Sequence, residues 1–333
     1  MPNQIDSTCF ALLSKAEATY GVDPVPTEGT DLRGDVSITI DNRVVPAARL
    51  WHSQSRVEHG VVPHSIGFSF TVGVGGIKQA DAGTPGVHPF LVGSGYNAVL
   101  TGTLLANNLS AAYNLKSFGH LSYAMYAHYF DKTSGQVIRL KMLGCRGNSE
   151  FVMSTAGELL LNVSGNCLYA EYEAAATVAA PTSYGNGVTP LRAKSVTHTL
   201  GGTVRRIKQW SLSTNWSVGF EEGINGAYVG TEVVLGRDGA NAPGGSIDPV
   251  ALSTDFAASG SLRAQWQAAT AQAHALSFND GVSSFAYSGP KAQMSGTPPM
   301  QSDGAFKRFN VPYVLSANTT AGDNEVLITF GEV

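Results

Sequence analysis

Eight histidines and a thin scatter of carboxylates are the side chains in this sequence with chemistry to offer. His52, His59 and His64 fall close together, seven and five residues apart. Zinc ligands recur at other short spacings, and no His-Glu-x-x-His run occurs, so these read as loop histidines. Carboxylate pairs that could divide acid and base work in glycoside hydrolysis stand at Glu171 and Glu173, which share a face if the segment is a strand, and at Glu221-Glu222. Neither has the aromatic cluster that shapes a sugar subsite, and both read as surface carboxylates. A serine nucleophile of the Gly-x-Ser-x-Gly type is represented only by fragments, Gly93-Ser94-Gly95 and Gly260-Ser261. In a chain with 38 glycines, a serine beside glycine marks a turn. The run GVGGIKQ, residues 73–79, lacks the Gly-Lys-Ser/Thr ending of a phosphate loop and leads away from a strand. No catalytic, cofactor-binding or metal-ligating set emerges, and the chain reads as a non-enzyme without a cofactor.

Bulk properties narrow the classes further. Charged residues make up 14% of the 333 positions, against ~25% in ordinary soluble domains. With 21 basic and 25 acidic side chains the net charge is -4, which leaves no cation excess for neutralising phosphates. Arg205, Arg206 and Lys208 form a local basic cluster beside Trp210, which reads as a solvated strand face. Cys9, Cys145 and Cys167 are too few and too scattered for a disulfide framework, so assembly in a reducing cytoplasm is expected. The first twenty residues lack the basic start and apolar core of a signal peptide. No window approaches the ~18 apolar residues of a membrane-spanning helix, and no membrane partner is expected.

The elements that must position any site are strands. Val36, Ile38 and Ile40 alternate with Ser37, Thr39 and Asp41, and Ile66, Phe68, Phe70 and Val72 alternate in Ser65–Val74; period-two patterning marks half-buried strands. HPFLVGSGYNAVL, residues 88–100, suits a short helix entered through Pro89. Tyr123–Phe130 and Val137–Leu143 flank a polar, Gly-containing connection and predict a hairpin. Glu150–Met153 and Glu158–Val163 predict another. Residues 176–190 are small, uncharged and broken by Pro and Gly, as in a linker. The order then repeats: strands over 204–216 and 245–256, a helix over 259–273 with a serine N-cap, and strands at 283–287, 305–315 and 325–330. Asn162-Val163 and Asn310-Val311 each follow a glycine-turned hairpin. The chain therefore reads as mainly β, with a divergent tandem repeat: an extended N-terminal arm over 1–30, one β domain over 31–175, and a second over 191–333, each with a short α-helix.

The opening run KAEATYGVDPVPT carries the most specific signal. Lys15, Glu17, Thr19, Tyr20, Gly21, Asp23, Pro24, Pro26 and Thr27 resemble the start of the tail tube (major tail) proteins of long-tailed bacteriophages of the siphovirus type. Tyr129–Tyr172, with its Leu-Gly-Cys-Arg-Gly run, and the closing strand Gly322–Phe330 are similar to the same family. The resemblance implies tandem tail-tube-like β-sandwich or barrel domains in a structural virion protein. Such a subunit closes into trimeric pseudo-sixfold or hexameric rings, and the rings stack into the conduit for DNA ejection. It implies further partners in a tape measure protein, a tail terminator and distal tail proteins. The resemblance also implies that DNA passes the lumen without specific binding and that the protein resides in the virion tail after assembly in the host cytoplasm. Residues 1–30, with Lys15, Glu17, Tyr20, Asp23, Pro24 and Pro26, are the expected inter-ring arm, ordering on a neighbouring ring. The competing expectation is a β-sandwich that decorates a virion or binds glycans.

Overall fold

The computed structural model describes residues 11–51, 54–77, 84–101, 109–130, 137–154, 157–168, 172–175, 191–192, 195–221, 232–237, 241–257, 261–296, 298–319 and 322–332. The fold is mainly β, as the alternating segments predict. In the first half the strands are β1 (Ala11–Ala16), β2 (Glu28–Gly29), β3 (Ser37–Trp51) and β4 (Gln54–Gly73). The helix α1 (His88–Gly93) follows, then β5 (Tyr96–Thr101), β6 (Ser110–Leu115), β7 (Tyr123–Phe130), β8 (Val137–Ser154), β9 (Leu159–Leu168) and β10 (Tyr172–Ala175). The second half holds β11 (Thr197–Leu200), β12 (Thr203–Val204), β13 (Ile207–Ser213), β14 (Ser217–Glu221), β15 (Glu232–Gly236) and β16 (Gly244–Pro249). After a 3₁₀ turn at Ser253–Phe256 and α2 (Leu262–Gln267) come β17 (Gln272–Asn279), β18 (Ser283–Met294), β19 (Met300–Asp303), β20 (Phe306–Phe309), β21 (Val311–Leu315) and β22 (Leu327–Glu332).

The two halves use one pairing scheme. In the first, β1 pairs β7, β3 pairs β4, β4 pairs β9, β9 pairs β8, and β8 pairs both β7 and β10. In the second, β11 pairs β17, β13 pairs β16, β16 pairs β21, β21 pairs β18, and β18 pairs both β17 and β22. All of these pairings are antiparallel, and the hairpin β18–β21 continues outward as β19–β20. The ladders also end alike: Val74 N–H donates to Leu159 O, and Ala251 N–H donates to Lys307 O. Counting four residues on from those acceptors places Val163 and Val311, both inward-facing, at equivalent positions. The small Asn-Val identity of the sequence therefore falls in register.

The halves are joined edge to edge. Glu150–Ser154 of β8 pairs with Gln209–Ser213 of β13, and β22 pairs with β6. Phe151, Trp210, Phe285 and Phe330 are fully buried where the halves meet. Trp210 lies 6.4 Å from Phe151 and 6.1 Å from Phe285, ring centre to ring centre. Burying such aromatics removes large apolar areas from water and gives the interface tilted and edge contacts.

Several local expectations change. The first helix stops at Gly93, and Tyr96–Thr101 becomes a strand paired with β6. The second covers only Leu262–Gln267, since Gln272 and Ala273 belong to β17; tertiary pairing overrides their helix propensity. Its N-cap is Ser261, whose hydroxyl accepts from Ala264 N at 3.1 Å. The Leu143–Gly147 run lies inside the long strand β8, where its pairing with β9 shifts register. Gly144 takes φ +61, a left-handed conformation that glycine adopts without penalty. The expected linker, 176–190, lies outside the described residues.

Candidate assembly interface

The opening stretch folds onto its own chain, unlike the expected free arm. The whole of β1 runs along β7, from Ala11↔His128 to Ala16↔Tyr123, with Ala11, Leu12 and Leu13 buried. In the pairing scheme β1 is the counterpart of β11, so it is the first strand of the first half. Ala11, Leu12 and Leu13 supply the apolar surface, and edge pairing to β7 satisfies their backbone. Residues 1–10 lie outside the described set.

The named residues divide by environment. Lys15 is exposed, Pro24 is half-buried and Pro26 is buried. Glu17 is only 3% exposed. Its carboxylate accepts from Gly21 N at 2.8 Å, Ser122 Oγ at 2.5 Å and Gly144 N at 2.8 Å. Those bonds satisfy the charge that burial would otherwise penalise, and they explain the register shift of β8, because Gly144 gives its N–H to Glu17. The Tyr20 hydroxyl accepts from Val233 N at 2.6 Å, and the Arg146 guanidinium sits 4.6 Å from its ring centre. Burial raises the Tyr20 pKa to about 12, against the lowering influence of the Val233 hydrogen bond and of Arg146. Arg146 also donates to Glu232 Oε1 at 2.5 Å and Val233 O at 2.8 Å. The turn thereby clasps β15 of the second half. Asp23 accepts from Tyr126 Oη and Lys141 Nζ, each at 2.5 Å. Burial acts to raise its pKa, but the Lys141 and Tyr126 hydrogen bonds outweigh that and hold it below the usual carboxylate value.

Beyond this clasp stand a ribbon and, among several strands with a single partner, the outer edges of β3 and β19. β3 and β4 pair from Ser37↔Ser69 to Trp51↔Gln54, yet β9 covers β4 only from Ile66 to Gly73. Asn42–Trp51 and Gln54–Pro63 thus form a two-stranded ribbon, about 33 Å long at ~3.3 Å per residue. The outer edge of β3 and the outer edge of β19 have no strand partner among the described residues. Near the β19 edge, Met300 is 52% exposed, Phe306 63% and Phe256 52%. A shallow groove of about 300 Å³ crosses β3, β4, β9 and β8, lined by Ser37, Thr39, Ser69, Asn148, Ser164 and Asn166.

Of the side chains singled out for catalysis, those of Glu173, Ser94 and Ser261 are among the described residues. Among the described residues no group of three or more His, Cys, Asp or Glu could hold a metal ion. The side chains of His52, His59, His64, Glu171, Glu221 and Glu222 lie outside the described set. Glu173 pairs with Arg139. Ser94 is buried, and its carbonyl accepts from Trp216 Nε1 at 2.7 Å. Arg205, expected on a solvated face, is buried in a two-pronged pair with Asp255 at 2.7 and 3.1 Å. Lys208 remains exposed and pairs with Asp303 at 2.9 Å. Cys145 and Cys167 are free and buried. Among the described residues no helix is long and apolar enough to cross a membrane.

A scan against protein-family models finds none that matches this sequence, and a search of curated proteins finds no match. What sequence reading missed is backbone: the open edges of β3 and β19 carry ordinary residues, and only the repeated pairing scheme gives them meaning.

Proposed function

We propose that this chain is a structural tube subunit that joins its own copies head to tail into rings, which stack as a bacteriophage tail tube. One observation carries the reading: two halves with the same pairing scheme are joined side by side, edge to edge, through β8 and β13. A chain that already joins two copies of a unit edge to edge, and leaves the outer edges of β3 and of the β19–β20 hairpin without a strand partner among the described residues, is built to extend. A heterologous contact of this kind gives a closed ring where its rotation closes. Pairing the open edges also removes a liability that unpaired strands otherwise present.

Three further features agree with it. The opening run resembles the tail tube family. The surface is poor in charge, as surfaces destined for burial between copies are depleted of it. The groove across β3, β4, β9 and β8 offers hydroxyls and amides, so this face would let a polyanion pass without the cation contacts that retain it. In this reading three chains supply six halves per ring, and the β3–β4 ribbon reaches to the next ring. The tape measure, tail terminator and distal tail proteins are its further partners in the virion, with assembly in the host cytoplasm. Negative-stain microscopy of the purified protein over rising concentration tests it: rings or tubes are expected, and a compact monomer at every concentration overturns it.

A further inference from the structure

We infer that the joint between copies repeats the joint inside the chain: the outer edge of β19 in one copy pairs antiparallel with the outer edge of β3 in the next, with Gln301 opposite Ser37. The inference rests on the tube-subunit reading and supplies the surfaces and register which that reading leaves open.

The register follows from equivalent positions. With Val163 matched to Val311, Leu160 matches Arg308. Leu160 faces Val152 across the first hairpin, and Arg308 faces Gln301 across the second. Gln301 is therefore the counterpart of Val152. On the other side, Ser37 faces Ser69, which faces Ser164. In the second half the match to Ser164 is Pro312, which faces Ser246. Ser246 N–H donates to Ser211 Oγ at 3.1 Å, and the ladder on either side, Trp210↔Ile247 and Ser213↔Gly244, puts Ser211 opposite it. Ser37 is therefore the counterpart of Ser211. Val152 pairs with Ser211 inside the chain. The same operation carried forward sets Gln301 against Ser37 and Met300 against Ile38 of the next copy.

Exposure at the two ends fits this. Phe151 and Leu212, the residues that meet at the internal joint, are fully buried. Their counterparts are Met300, 52% exposed, and Ile38, partly buried. Large apolar side chains left open at matched positions are what a missing neighbour leaves behind. Met300, Phe306 and Phe256 would be covered by the copy that β19 receives.

The test is a cysteine pair in the full chain, Ser37→Cys with Gln301→Cys, in a Cys9→Ser background; Cys145 and Cys167 are buried. After assembly and mild oxidation, denaturing electrophoresis should show a ladder of covalent multimers ending at the ring's copy number. Each single-cysteine variant should stay unlinked beyond dimer, and the pair Ser37→Cys with Lys307→Cys, on the far strand of the hairpin, should give no ladder. Rings or tubes that form without a Ser37–Gln301 ladder overturn the edge assignment and leave the tube reading standing. Folded protein that never assembles, before or after substitution, overturns both.

Discussion

The first half closes β7, β8 and β9 over Tyr123, Met125, Met142, Cys145 and Cys167, all with no exposure. Beneath β11, β17, β18 and β21, the second half instead buries His198, His274, Tyr287 and Tyr313. The second set is a hydrogen-bonded chain. His198 Nε2 and His274 Nε2 are 2.9 Å apart, His274 Nδ1 is 3.3 Å from Tyr287 Oη, and Tyr313 Oη donates to Ser211 O at 2.7 Å. One pairing scheme thus holds an apolar, thiol-bearing core and a polar one. Strand register is set by backbone ladders and by which parity faces inward, while a core asks for matched volume and for every buried polar atom to find a partner.

The largest test of this contrast is at the joint the two cores share. Trp210→Ala should cost about 3 to 5 kcal/mol, as aromatic truncation in a packed core does. Both halves should unfold together in denaturant, since Trp210 touches Phe151 of one and Tyr287 of the other. Loss of the second half alone, with the first half's amide protection intact, would separate what the shared sheet joins.

Next comes the clasp, which belongs to the first half. Glu17→Ala leaves the buried Gly144 N–H, the half-buried Gly21 N–H and the Ser122 hydroxyl without their acceptor, a loss of about 3 kcal/mol. Hydrogen exchange should speed up in β1 and around Gly144 before it does in β11. For the same reason, removal of residues 1–30 should unfold the first half, because β1 is one of its strands. A truncated chain of unchanged stability would return these residues to the status of a free arm.

The histidine chain sharpens the contrast through pH. Burial lowers the His198 pKa to about 4, with Arg205 adding to the shift, and burial with His198 holds His274 well below 6.5. Arg205 is itself paired to Asp255. The folded state then binds fewer protons than the unfolded chain between about pH 6.5 and 4, so this stability is present above pH 6.5 and lost on acidification through that window. For His198 alone the full loss is on the order of 3 kcal/mol. Thermal melts of His198→Phe with His274→Phe should show a flatter acid limb than the parent; an unchanged slope would mean the pair does not titrate in that window. The smallest effect belongs to the exposed trio Arg33, Asp31 and Glu158: Arg33→Ala should move stability by under ~1 kcal/mol, and salt should erase the difference.

Much of the first half's sheet was legible because Ile66, Phe68, Phe70 and Val72 alternate cleanly. Asn162-Val163 and Asn310-Val311 also pointed to positions that coincide in register. The role of β1 was hidden. Its counterpart β11 reads THTL against ALLSKA, and nothing in composition says that the two strands occupy one place. Glu17 read as part of an inter-ring arm because its three donors come from Gly21, Ser122 and Gly144, two of them more than a hundred residues away. Extensions of β3 and β4 beyond their alternating cores were equally hidden, since β9 pairs with β4 only from Ile66 to Gly73 and the period-two pattern stops with that pairing.

The spacing of halves around an assembled ring tests the account most directly. Averaged end-on views from electron microscopy should show six evenly spaced lobes from three chains, because the joint between copies repeats the joint within one. Three tight pairs of lobes with a wider gap between pairs, or particles that never close, would contradict it.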